Sequence, residues 1–421
     1  MTIWLVYPYT TLPQEQWREY RCHYLAQSLN EKGHHVVLWT ANFWHRNKTF
    51  RTQNHEVRTE NPLFTVHLLP SLPYYKNISW QRIRFEQHFA QQFLLYSKTL
   101  VPPDVLVLRE PAPFYSKPIL DYTQQHNCVL MVDILDIYPE LFAMVLPKYL
   151  RFLHKIIFQS LYQRRKKLIQ NANAIVGVCN QYTQIGQAIN PNIAAQTVYS
   201  SVKNKSIEAI LTPTKSLDKL DITPLKTKPK DQIWAIYAGS LGKNYDMMSI
   251  LDLALNLKQR QPNLVFILAG MGEMEIEIKQ KIKKNQLTNV IFIGFLDENT
   301  LTHLLSYCDI GLMTYAKQST VSLPVKFFEY VALGLPMLNS LESTDAEQLI
   351  GQFGVGLTYK SGDLNDFEAK MMQLIDNETL CLEMKKNCRK LSEWLDADKQ
   401  YAVYADFIEK NGTKTKNIEK K

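Results

Sequence analysis

Short apolar runs alternate with helix-length amphipathic segments along most of this 421-residue chain, and that alternation limits the folds open to it. Ile3–Tyr7, Val36–Thr40, Val105–Leu108, Val129–Ile134 and Ala174–Val178 are short and mostly rich in β-branched residues, so they read as strands. Between them, Trp17–Lys32, Ser79–Leu100 and Ser116–Gln125 carry helical spacing. Strands joined through helices return to the same end of a sheet and pair in parallel. A second series starts with strand Ile233–Ala238 and helix Asp246–Arg260, then strand Leu264–Leu268 and helix Glu273–Asn285. It continues through strand Val290–Ile293, helix Asp297–Tyr307, strand Ile310–Thr314, a short helix and strand Pro336–Asn339. From Lys203 to Asp231 the chain is rich in Lys, Thr, Pro and Asp and keeps no apolar period, as a linker does. These patterns predict an α/β protein of two doubly wound, Rossmann-like domains, 1–202 and 232–409, with a linker at 203–231 and a basic tail at 410–421.

The 46% of hydrophobic residues is ample for two cores. Six scattered cysteines without a Cys-x-x-Cys pair indicate neither a disulfide framework nor a zinc site, and fit a reducing cytoplasm. The apolar start Ile3–Tyr7 ends at Pro8 without a basic leader, as expected of a buried strand, and no stretch reads as a membrane span.

The net charge of +8 is unevenly spread. No acidic residue lies between Glu140 and Glu208, while Lys148, Arg151, Lys155, Arg164, Arg165, Lys166 and Lys167 crowd one stretch. Leu146, Leu150, Leu153, Ile157 and Leu161 recur there at helical spacing, predicting a single amphipathic helix. That helix suits either the surface of an anionic bilayer or a domain face turned to water. No recognised module accompanies the charge to suggest nucleic acid.

Ser322 to Pro336 carries the densest chemistry. Pro324 suits the first helical position, where a missing N–H costs nothing, and Gly334 suits the stop after Leu333. Lys326 then falls in the first turn, where unpaired N–H groups and the helix dipole favour a phosphate by ~0.3–1 kcal/mol. Glu329 lies three residues on, on the same face, where it can accept hydrogen bonds from sugar hydroxyls. The same two residues also fit an exposed helix pair worth ~0.2–0.5 kcal/mol. Pattern alone leaves both readings open.

Pro324-x-Lys326-x-x-Glu329-Tyr330-x-x-x-Gly334-x-Pro336 resembles the donor-site helix of family 4 glycosyltransferases, retaining enzymes of the GT-B fold, and the likeness extends along most of the chain. The resemblance implies two domains facing a cleft and a nucleoside-diphosphate sugar as donor. It also implies a glycan or lipid-linked acceptor in surface polysaccharide or glycoconjugate synthesis, and a front-face reaction with no metal and no cofactor besides the donor. In that setting Lys326 meets the diphosphate and Glu329 the ribose.

Gly239-Ser240-Leu241-Gly242-Lys243-Asn244-Tyr245 leaves a strand at its carboxyl end, where open α/β sheets put ligands. Gly239 and Gly242 let backbone approach a ligand and Lys243 can neutralise a phosphate, although an ordinary turn fits the pattern as well. The segment resembles the family's diphosphate loop. Ser240 stands where family members often have Arg, which shifts the load, and with it stabilisation of the leaving group, onto Lys243. Phe295, after Gly294, matches the position that frames the nucleobase, or is a core aromatic. Ala269-Gly270-Met271-Gly272 reads as a tight turn, and neither glycine loop completes a dinucleotide fingerprint.

Asp133-Ile134-Leu135-Asp136-Ile137-Tyr138-Pro139-Glu140 resembles the Asp-Leu-Trp-Pro-Glu stretch of one family branch. Asp136 then matches the acidic residue near the acceptor, placed to orient or deprotonate a hydroxyl; the alternative is a cap for a helix beyond Pro139. The loop Tyr7 to Trp17, with Arg18 and Arg21, stands where the family has a glycine-rich acceptor loop, yet no glycine precedes Gly33. Pro70, Pro73, Tyr74, Tyr75 and Lys76 form a second acceptor lip or a plain structured loop. His23, His34, His35 and His45 fit no metal-ligand spacing. Val321 stands where many members carry a second glutamate. Two other functions share these features: a sugar-nucleotide 2-epimerase and a catalytically silent nucleotide-sugar-binding subunit.

Overall fold

The computed structural model describes residues 1–15, 21–140, 142, 146–212, 225 and 227–413, without the side chain of Lys148. Two compact units emerge, Met1–Tyr199 together with the chain from Asp398 onward, and Ser200–Ala397.

In unit 1, strands β1 (Thr2–Val6), β2 (His35–Ala41), a small hairpin β3 (Phe43–Trp44) and β4 (Thr49–Phe50), β5 (Glu56–Asn61), β6 (Phe64–Leu69), β7 (Val105–Glu110), β8 (Val129–Ile134), β9 (Ala174–Gly177) and β10 (Ala194–Thr197) follow in chain order. Apart from the hairpin they form one sheet in the order β10-β9-β8-β7-β1-β2-β6-β5. Every pairing is parallel except that of the edge strand β5 with β6. β7 and β8 are buried along their whole length, because a parallel sheet with helices on both faces has no wet side. Trp4 centres the core, stacked on Tyr122 at 5.8 Å and tilted against Trp39 at 5.0 Å.

Unit 2 contains β11 (Ile233–Ala238), β12 (Leu264–Ala269), β13 (Val290–Gly294), β14 (Ile310–Met313), β15 (Met337–Asn339) and β16 (Gly356–Thr358). Their order is β13-β12-β11-β14-β15-β16, all parallel, so the winding reverses between β11 and β14. Leu251, Leu257, Phe266, Leu312 and Phe367 lie in its core.

Three expectations change. The predicted linker 203–231 contains a helix, Asn204–Leu211, which belongs to unit 2, and Leu225 is buried. The final helix, Ala397–Asn411, packs almost wholly with unit 1, not with the 232–409 domain that the sequence suggests. The cause is local: its buried Tyr401 and Tyr404 lie 5.7 Å and 5.3 Å from the Arg21 guanidinium, and its Asp406 and Glu409 pair with Lys32. Of the basic tail, 414–421 lies outside the described residues. The predicted basic helix, finally, is broken into a 3₁₀ turn Lys148–Leu153, a turn His154–Ile157 and a helix Gln159–Asn171. Pro147 precedes it, and Phe158 departs from helical backbone at φ −102, ψ 21, packing 5.3 Å from Phe142. Tyr149, Phe152 and Ile156, outside the expected apolar stripe, face solvent.

Candidate functional site

Where winding reverses, the loops leaving β11 and β14 run in opposite directions and leave a crevice at the carboxyl ends of the strands, the usual ligand position in open α/β sheets. The helix Val325–Ala332 follows β14 through that loop. Pro324 is its N-cap at φ −80, ψ 153, one residue earlier than expected, and Val325 opens the helix. Leu335 N–H donates to Tyr330 C=O at 2.8 Å, Gly334 N–H to Val331 C=O at 3.0 Å, and Gly334 takes φ +67, a complete Schellman stop. Tyr330 anchors the helix through the glycine of β14: a Cβ on Gly311 would lie 2.5 Å from its ring.

Lys326 is buried, and its Nζ makes no hydrogen bond among the described residues. It stands 3.9 Å from the ring centre of Tyr237, 5.1 Å from Tyr245 and 5.3 Å from Tyr315. Tyr237 lies next to the end of β11, Tyr245 closes the glycine loop and Tyr315 follows β14, so three elements cage one ammonium group. Burial pushes Lys326 down to about 7, against the pull of Glu329. Glu329 is buried one turn further on. The helix is therefore not an exposed Lys–Glu pair.

The glycine loop completes the cage. Gly239 takes φ +149, and a Cβ there would lie 3.3 Å from Lys326 Nζ. A Cβ on Gly270 would fall 1.8 Å from Gly239 O, and one on Gly272 2.5 Å from Leu241 O. Ala269-Gly270-Met271-Gly272 is thus the backbone partner of the first loop, with Gly239 N–H donating to Ala269 C=O and Leu241 N–H to Met271 C=O, both at 2.9 Å. Tyr237 OH donates to Ser240 C=O at 2.7 Å, which fixes the ring beneath the lysine.

Lys243 sits elsewhere on this loop. Its side chain is 80% exposed, with Nζ 3.8 Å from Glu273 Oε2, while its amide donates to Glu273 Oε1 at 3.2 Å. Gly242 lies beside the same carboxylate. Phe295, 53% exposed, stands just past the end of β13, after Gly294 at φ +89. The structure brings Gly239, Lys326 and Glu329 together and leaves Gly242 and Lys243 on the outer rim of the loop.

Sequence reasoning missed Ser322 and Asp345. Ser322 Oγ donates to Asp345 Oδ2 at 2.8 Å and accepts from Asp345 N–H at 3.1 Å, hanging the loop before helix Val325–Ala332 on the start of helix Asp345–Phe353. Nothing in the pattern marks a serine and an aspartate so far apart as partners. Val321, half-buried, offers the crevice no polar side chain.

In unit 1 the two aspartates at the carboxyl end of β8 part company. Asp133 holds Arg21 by two hydrogen bonds, 2.9 Å and 2.8 Å, with Arg109 at 3.4 Å. It is a buried structural ion pair. Asp136, partly screened, accepts from the Ile137 amide at 2.9 Å, and burial pushes its carboxyl up against that bond and Arg82. Residues 141 and 143–145, through which a helix for Asp136 to cap would run, lie outside the described residues. Glu110, also unforeseen, ends β7 and is pushed up to about 7 by burial. The glycine-free loop after β1 is pinned instead by Arg51, which donates to Thr10 C=O at 2.7 Å and pairs with Glu15 at 2.6 Å; Trp17 and Arg18 lie outside the described residues. Tyr74 is buried against Phe43 and Phe85, whereas Pro73, Tyr75 and Lys76 of that predicted lip are exposed.

Residues 219–391 match the family model described as "Glycosyl transferases group 1". That match lies wholly within unit 2. Among curated proteins the chain is similar to the UDP-glycosyltransferase TURAN of Arabidopsis thaliana, 27% identical over 148 residues that cover 33% of this chain and 32% of that one. The chain spans half or less of the length of the curated relatives it matches. Among solved structures, sucrose-phosphate synthase from Thermosynechococcus elongatus superposes with a TM-score of 0.73 at 13% identity, covering 97% of this chain and 98% of that one. WaaG, a glycosyltransferase involved in lipopolysaccharide biosynthesis, gives 0.65 at 13% identity over 97% and 99%. At such identities the likeness is one of fold, and the fold is GT-B.

Proposed function

We propose that this protein is a retaining glycosyltransferase that moves a sugar from a nucleoside-diphosphate sugar, with UDP the first candidate, to a glycan or lipid-linked acceptor in polysaccharide synthesis. One observation carries the reading: a buried lysine without a hydrogen-bond partner among the described residues, caged by Tyr237, Tyr245 and Tyr315 against Gly239, at the reversal point of the unit that matches the group 1 model. A buried cation of that kind calls for an anion, and a diphosphate entering beside Gly239 meets it directly.

Each residue then has a task. Lys326 and the N–H groups of the first helical turn stabilise charge on the leaving diphosphate, as oxyanion donors do elsewhere at ~2.7–4 kcal/mol per donor. Glu329 accepts from the ribose hydroxyls and Phe295 frames the base. Lys243 swings from Glu273 to the phosphate edge, since an exposed pair of that kind holds it by less than ~1 kcal/mol. Asp136, in the other unit, orients the acceptor hydroxyl. The resemblance also suggests that this chemistry needs no metal ion.

The test has two stages. Calorimetry with UDP and with UDP-sugars measures donor binding in the wild type and in Lys326→Ala, where binding should fall at least tenfold. Nuclear magnetic resonance of the product then reads the anomeric configuration, with retention expected. A sugar nucleotide epimerised in the absence of any acceptor would replace transfer by epimerisation, and donor binding without turnover on any acceptor would leave a silent binding subunit.

A further inference from the structure

We infer that the end of unit 1 carrying Asp136 seats on an anionic membrane surface by inserting aromatic and aliphatic side chains. Tyr149, Phe152, Ile156 and Trp80 are between 70% and 81% exposed, and Ile78, Tyr75 and Ile157 add to them. A folded chain in water seldom leaves so many large apolar groups in the open within short stretches without a use for them. The two stretches belong to one end of the unit. One follows the carboxyl end of β6 and the other that of β8, and contacts join them: Arg82 lies 6.0 Å from Tyr138, Tyr138 4.8 Å from Phe142, and Phe142 5.3 Å from Phe158.

Charge selects the occupant. No acidic residue occurs between Glu140 and Glu208. Lys155, Lys166 and Lys167 are exposed and make no ion pair among the described residues, whereas Arg165 is taken by Glu140 at 2.6 Å and Arg164 donates to Pro113 C=O at 3.1 Å. A single-sign basic surface studded with Trp, Tyr, Phe and Ile matches the headgroup boundary of an anionic bilayer, where apolar groups enter the acyl edge and lysines stay with the phosphates. Because the broken segment turns Phe152 and Ile156 outward, insertion rather than charge alone holds the seat. Such a seat suits the lipid-linked form of the proposed acceptor, and in that respect rests on the proposed function.

Sedimentation of the full chain with vesicles tests this. With equal parts phosphatidylglycerol and phosphatidylcholine the wild type should pellet at low salt, and a part should remain bound at about 1 M salt, where the Debye length is ~3 Å. Phe152→Ser with Ile156→Ser should lower binding about tenfold or more at both salts. Lys155→Gln with Lys166→Gln and Lys167→Gln should lower it at low salt only. Each variant should bind UDP as the wild type does, which shows it folded. Wild type left in the supernatant at low salt overturns the seat, as does a Phe152/Ile156 variant that pellets like wild type. Self-association that this double variant abolishes, without vesicle binding, assigns the patch to a second copy of the chain and equally overturns it. Vesicle binding in a protein that fails to bind any nucleoside diphosphate leaves the seat standing and removes the donor reading.

Discussion

Lys326 Nζ lies 3.9 Å from the ring centre of Tyr237, and a Cβ added at Gly239 would stand only 3.3 Å from it. The ammonium has a π face but no hydrogen-bond acceptor among the described residues. That makes its charge conditional on what enters the crevice.

Donor binding should therefore depend on pH in a set direction. Burial holds Lys326 down to about 7, and a bound diphosphate favours the charged form and raises it again. Affinity should be highest below pH 7 and fall as pH rises above it, by about tenfold per unit until the raised value is reached. A sugar nucleotide has no phosphate ionisation in that range, so calorimetry with one reads the protein alone. Lys326→Arg should flatten the profile, since guanidinium stays charged; an equally sloped profile in that variant would place the titrating group elsewhere.

The glycines should form a graded series. Gly294→Ala has φ +89 but open space around it, so only backbone strain of ~1 kcal/mol is expected. Gly239→Ala adds crowding of Lys326 and should weaken donor binding more than it lowers the melting temperature. Gly270→Ala puts a methyl 1.8 Å from a backbone oxygen and should destabilise unit 2 by more than ~3 kcal/mol. Thermal unfolding of the three variants checks the order.

The two neighbouring aspartates should separate cleanly. Asp133→Asn strips the buried Arg21 of its partner and should cost ~3–5 kcal/mol in denaturant unfolding. Asp136→Asn should keep both fold and donor affinity and lose transfer. Equal transfer by Asp136→Asn and wild type would remove the proposed role.

Ser322→Ala cuts the tie to Asp345, leaving a buried carboxylate one donor short, at ~1–3 kcal/mol. The donor KM should rise with it, because the loop before Lys326 loses its anchor. An unchanged KM would show that the loop is held by its other contact, Ala346 N–H to Ser322 C=O at 3.0 Å.

Local periodicity carried far. Helix Ser116–Gln125 and strand β8 lie where the sequence puts them, and Asp297 caps the next helix by accepting from Thr300 N–H at 3.1 Å. Lys326 and Glu329 were legible because proline and glycine bracket them. The cage was not: Tyr237, Tyr245 and Tyr315 meet only through the reversal of the sheet, which no local pattern encodes. β5 went unread because an edge strand wet on most of its length has no apolar run. The broken basic segment misled because helical spacing fits Leu146 to Leu161 without showing which side a kink turns to water.

The C-terminal helix that closes on Arg21 makes unit 2 a cassette. The chain leaves unit 1 at Tyr199 and returns at Asp398, and the two junctions are laced side by side: Tyr199 N–H donates to Gln400 Oε1 at 3.3 Å, Ala397 N–H to Val202 C=O at 3.1 Å, and Asn204 N–H to Asp396 Oδ2 at 2.9 Å. Residues 200–397 therefore form a segment whose two ends lie close enough to be excised or exchanged between adjacent splice points. The reverse operation fails. A fragment stopped at Tyr199 lacks Tyr401 and Tyr404, and its Arg21–Asp133 pair stands open to water.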